Sequence, residues 1–241
     1  RAAAATRAAL GRDDPGDPAD TFDLLMRTSE RAGLRSAFYL IATPPGASGF
    51  HNEAYDLGAP RVRALIRSIH ERGHELGLHG AYGTQTSTEL LSAQLAALRS
   101  AAAAVGVEQE AWGGRQHFLQ FRAPATWAAW EAAGLSYDSS VAFADAPGFR
   151  CGTTRPFRVF DLDARRALAL VERPLVAMEG SFLDRRYLGL APEEAGSRIL
   201  ALARTCKRHG GRFTLLWHNT ALVRRSDQAH YAELVTALAG L

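Results

Sequence analysis

Residues 60–80 read Pro-Arg-Val-Arg-Ala-Leu-Ile-Arg-Ser-Ile-His-Glu-Arg-Gly-His-Glu-Leu-Gly-Leu-His-Gly. Val62, Leu65, Ile66 and Ile69 recur at the three-to-four spacing of an amphipathic helix, with Pro60 at a position where a first helical turn tolerates it. Gly73 stops that helix, and Leu76 and Leu78 then alternate with smaller or polar neighbours, as a strand requires. A helix that feeds directly into a strand is the repeating half of a βαβ unit.

The same alternation runs through the chain in both directions. Strands are expected near residues 36–41, 75–78, 115–118, 137–138 and 213–217, and helices over 21–32, 60–72, 86–105, 127–133, 192–209 and 227–238. Asp20 stands where it can cap the first of these helices. Strands separated by helices predict a parallel sheet, as a barrel or a doubly wound layer. Residues 141–190 break the rhythm with short β-like pieces at 157–161 and 172–177. Residues 1–19 read as a helix followed by a Pro/Gly linker, and the whole of 1–241 as one domain.

Composition narrows the function. The net charge is +3, and Lys207 is the one lysine among 28 basic residues, a bias that a GC-rich genome explains. Acidic and basic residues are interspersed with no aromatic-and-basic stripe, so no nucleic-acid partner is expected. No apolar run is long enough for a membrane span, and no signal peptide opens the chain, which predicts a cytoplasmic protein unless its N-terminus is truncated. Cys151 and Cys206 form no framework and read as free thiols in a reducing compartment. Nothing in the sequence fixes the oligomeric state.

Working residues in parallel α/β folds gather where strands end. His79, His117, Asp138 and His218 close four of the expected strands. His79, followed by Gly80, is either a metal-binding imidazole or a histidine that caps its strand through hydrogen bonds. Arg115 and His117 fall on one face by period two. They are either an anion-orienting pair or a surface arginine beside a buried histidine. His218, after the apolar run Phe213-Thr-Leu-Leu-Trp217, is either a general acid or base or a satisfied rim histidine. Tyr82, Arg150, Trp217 and Asn219 flank these positions as candidates for substrate contact, although turn chemistry explains the glycines around Arg150 equally well.

In these stretches, the chain resembles the polysaccharide deacetylases (carbohydrate esterase family 4, the NodB-homology proteins), in a divergent branch often found near bacterial surface-polysaccharide genes. Gly73-His-Glu-Leu-Gly-Leu-His79 is similar to the family's Gly-His-Glu-Ile-Gly-x-His motif, whose last histidine binds metal. Arg115-Gln-His117, Tyr137-Asp-Ser-Ser140 and Leu216-Trp-His218 follow in the family's order, over nearly the whole chain from about Asp20 onward.

The resemblance implies a distorted (β/α) barrel of the glycoside hydrolase/deacetylase type and a metal-dependent hydrolase. Such an enzyme removes acetyl or related acyl groups from a carbohydrate. A divalent ion, Zn²⁺ before others, would be held by His79 and His117. It would polarise the acyl oxygen and lower the pKa of its water to about 7. His218 would protonate the leaving group, with Arg115 and Asp138 orienting the catalytic groups.

Two departures accompany it. Gly83 stands where the family carries its second metal histidine, a role His117 would take over. The family's strand with two aspartates has no counterpart: Asp23 lies inside the helix 21–32, Asp13 and Asp14 lie in a turn, and the strand is expected upstream of Arg1. A chain without it is expected to be inactive or metal-poor. Loss of these groups also fits a different class, a non-catalytic barrel that binds glycan or scaffolds surface-polysaccharide assembly.

Overall fold

The computed structural model describes residues 17–43 and 55–241. The expected N-terminal helix, up to residue 16, and the loop at 44–54 lie outside the described residues. The chain is α/β with a mostly parallel main sheet, and it divides into two compact units.

The first unit holds residues 37–138 and 158–171. Its elements begin with strand β1 (Ala37–Leu40), helix α2 (Pro60–Glu71), β2 (Glu75–Gly80), α3 (Thr88–Ala103), β3 (Gly113–Gln116), α4 (Ala125–Ala132) and β4 (Tyr137–Asp138). The four strands lie side by side in chain order and pair in parallel, with Leu40 opposite Leu78, His79 opposite Arg115 and Gly114 opposite Asp138. A helical crossover between successive strands is what parallel pairing demands. Leu76 and Leu78 of β2, Ile66 and Ile69 of α2, and Leu91, Leu95 and Leu98 of α3 are almost fully buried. The periodicities of both element types therefore point into one core. Ser87 caps α3, its hydroxyl accepting from the Leu90 amide at 3.2 Å.

Gly114 fixes how closely β2 and β3 approach. A Cβ there would collide with the Leu78 carbonyl, a backbone group that cannot step aside. Beyond β4, the sheet continues with β6 (Arg166–Glu172) and then β5 (Phe157–Asp161), a hairpin whose tight turn is held by the Asp161 carboxylate accepting from the Asp163 and Ala164 amides.

The second unit holds residues 18–36, 139–157 and 172–241. It contains α1 (Phe22–Arg31), β7 (Ala177–Met178), α5 (Glu179–Leu183), α6 (Pro192–Arg208), β8 (Leu215–Leu216) and α7 (Arg225–Ala239). Ala177, Phe182, Ala195, Ile199 and Leu234 form its apolar centre.

Three expectations are corrected here. The strand expected over 115–118 ends at Gln116, because Phe118 (φ 56°, ψ 20°) and Leu119 (φ 53°) turn into the left-handed region, which no strand residue occupies. Period two therefore does not carry Arg115 and His117 together: His117 opens a 3₁₀ turn, His117–Leu119. The strand expected over 213–217 shrinks to Leu215–Leu216, which pairs in parallel with Ala177–Met178 in a two-stranded sheet of its own. The β5–β6 hairpin has taken the far side of β4, so the main sheet does not run on to β8. Finally, the N-cap position of α1 falls on Thr21 rather than Asp20, and the Thr21 hydroxyl donates to the Asn219 carbonyl at 2.9 Å.

Candidate active site

In the first unit, β2 and β3 carry the histidines to the same end of the sheet. His79 Nδ1 lies 2.9 Å from the Arg115 carbonyl oxygen. A carbonyl only accepts, so Nδ1 donates to it, as the outward nitrogen of a metal-binding imidazole does. The His117 ring lies 4.9 Å from the His79 ring, both half-buried. Arg115 is buried, its guanidinium 5.1 Å over the Tyr39 ring, and Asp138 is fully buried at the end of β4. Tyr82 lies on the surface just past β2. His74 packs edge-on against Phe38 and is buried.

Two imidazoles fall short of the three protein donors that a catalytic zinc takes. Among the described residues, no group of three or more His, Cys, Asp or Glu is placed to hold an ion. The described residues therefore do not by themselves make a zinc site. Gly83, at the position of the expected second histidine, adopts φ 84° in the turn closed by the Thr84 amide on the Ala81 carbonyl. A histidine there would be strained by its backbone, although no neighbour crowds its Cβ position.

In the second unit, His218 follows β8 and is exposed, while Glu179 follows β7 and is buried. Parallel pairing of the two short strands puts these residues side by side. One carboxylate oxygen, Oε1, accepts from the His218 backbone N–H at 3.1 Å and lies 2.5 Å from its ring Nδ1. The other, Oε2, is buried and takes no hydrogen bond. The imidazole is thus oriented by a desolvated carboxylate.

Glu179 was not among the residues picked out from the sequence. Its signal was the one that marked His79, a polar residue and a glycine after an apolar run (Leu175-Val-Ala-Met-Glu-Gly180). Asp23, expected inside the helix 21–32, lies in α1 and pairs with Arg27 at 2.8 Å.

The remaining candidates in this unit are engaged with the protein. The Asn219 amide donates to the Ala19 carbonyl at 2.8 Å. Trp217 packs against Tyr231, ring centres 4.9 Å apart. Arg150 donates to the Ala142 carbonyl at 2.8 Å, its guanidinium 5.9 Å from the Phe143 ring centre.

No family model and no curated relative matches the chain. In structure, it is similar to a crystal structure described as a "putative polysaccharide deacetylase from Mycobacterium smegmatis". The TM-score is 0.62 with 19% identity, over 93% of this chain and 72% of that one. At that identity, the likeness shows a shared fold. Among the described residues, no helix is long and apolar enough to cross a membrane.

Proposed function

We propose that the chain is a carbohydrate acyl hydrolase of the polysaccharide deacetylase kind, removing acetyl or related groups from nitrogen or oxygen. The Glu179–His218 pair carries this reading. A buried carboxylate fixed on an exposed imidazole is a proton-transfer device, and it supplies little packing that would otherwise explain it. The shared fold supports a carbohydrate as substrate, and the main sheet is read as part of a distorted barrel interrupted by the β5–β6 hairpin. In this reading, His218 takes up a proton on Nε2 and hands it to the leaving amine or alkoxide, while the Glu179 carboxylate holds Nδ1–H and stabilises the imidazolium in between.

A divalent ion, Zn²⁺ before others, belongs to the proposal as a half site on His79 and His117, to be completed by a donor outside the described residues. The incomplete donor set is the observation that favours the second reading, a glycan-binding barrel without turnover. Acetate release from acetylated oligosaccharides, measured beside metal analysis of the same sample, separates the two. Release that disappears in His218→Ala supports the hydrolase, and the absence of release from the metal-loaded chain rejects it.

A further inference from the structure

Past the end of β3, Phe118 and Leu119 both turn left-handed, Leu119 into the core and Phe118 outward. Phe118 takes left-handed dihedrals, and the ring it presents is 56% exposed. A non-glycine residue is strained there, and an exposed ring offers little burial to offset the strain. Such an outlier points to a use for the side chain.

The neighbours suggest what use. Tyr82, 39% exposed, meets Phe118 edge to face, ring centres 5.7 Å apart at 87°. Phe118 in turn lies 4.5 Å from the His117 ring, which adjoins His79. The four rings form a line from the surface to the imidazole pair. Two surface rings at a right angle make a corner. One offers an apolar face, and the other carries a phenol hydroxyl able to donate or accept a hydrogen bond. A pyranose has the complementary shape, with a flat C–H face and hydroxyls around its rim. The corner is also braced, because the Gln120 side-chain oxygen accepts from the Gly83 amide at 2.8 Å and so ties the loop after β3 to the loop after β2.

We infer that Phe118 and Tyr82 form a sugar-binding platform that seats one pyranose of an oligosaccharide beside His117 and His79. The inference rests on the carbohydrate reading above and deepens it. Nothing in it requires an ion or a turnover step.

The test is binding, measured by calorimetry on the full chain with acetylated tetrasaccharides of glucosamine, xylose and mannose. The parent binds at least one of them. Phe118→Ala weakens that binding by about five- to tenfold, the effect of losing one buried sugar face. Phe118→Trp restores it. Phe118→Gly removes the ring and the strain together, so it melts no lower than the parent yet binds as weakly as the alanine variant. Parental affinity in the alanine and glycine variants overturns the platform and leaves the hydrolase reading standing. A parent that binds none of the sugars also overturns it, whatever acetate release reports about the wider reading.

Discussion

Replacing Glu179 by Gln removes one negative charge while keeping the side chain's shape, and its two consequences should separate cleanly. Both contacts to His218 end on Oε1, and each changes from a charge-assisted hydrogen bond to a neutral one, a loss of roughly 1 kcal/mol apiece. The His218 side chain is 50% exposed, so solvent trims that loss. Against it stands the relief of no longer burying a carboxylate whose Oε2 has no hydrogen bond, on the order of 1–3 kcal/mol. The terms nearly cancel, and stability should move by no more than about 1 kcal/mol by urea denaturation.

Turnover should not be spared. Without the carboxylate, the imidazolium that must carry the transferred proton on Nε2 loses its charged partner. Acetate release should therefore fall by about 10²–10⁴-fold, the usual worth of a general acid or base. The double variant with His218→Ala should be no slower than the slower single one, because the two groups act as a unit. Parental turnover in Glu179→Gln would refute the pairing as a catalytic device.

Three further outcomes follow. Gly114→Ala places a methyl group on the Leu78 carbonyl, so its cost should exceed the roughly 1–3 kcal/mol of ordinary overpacking; an unchanged urea midpoint would contradict the strand spacing described above. His79→Ala and His117→Ala should each weaken zinc binding by at least about tenfold in equilibrium dialysis, whereas His218→Ala should leave it intact; full zinc affinity in His117→Ala removes that residue as a ligand. Burial pushes the Tyr231 phenol up to about 12, so folding favours its protonated form. That contribution is complete below pH 10 or so and is lost as pH rises toward about 12, a fall of roughly 2–3 kcal/mol that Tyr231→Phe should remove. Burial also raises Tyr137, so part of the alkaline loss should survive in the variant.

The sequence was most legible where local preference and tertiary placement agree. Over residues 60–80, helix periodicity, a stopping glycine and strand alternation all point one way, and α2 and β2 lie within two residues of the expected limits. The β6 strand shows the opposite case. Leu168, Leu170 and Glu172 are buried in strict alternation, but the stretch is built of Arg, Ala and Leu, strong helix formers whose propensity hides the period-two pattern. Only its last residue fell inside an expected β-like piece. Missing that hairpin also concealed what occupies the far side of β4.

The site follows the same logic at finer grain. The position of His79 at the sheet's end was readable because the alternating residues before it record the register of its strand. His117 was singled out for the wrong geometric reason. Aromatic and apolar residues at 117–121 favour a strand by propensity, and nothing local announces that Phe118 and Leu119 turn left-handed. The tie from Gln120 to Gly83 joins residues 37 apart in sequence, beyond the reach of any short window. Glu179 had a readable signal on a strand only two residues long, too short for alternation to register. Asn219 marks the remaining limit of pattern reading. A polar residue beside a rim histidine reads as a substrate contact, yet here its amide and carbonyl hold Ala19 and Thr21 at the start of α1. Those two contacts cross about 200 residues of sequence and anchor the backbone next to His218, a structural duty that no pattern around residue 219 announces.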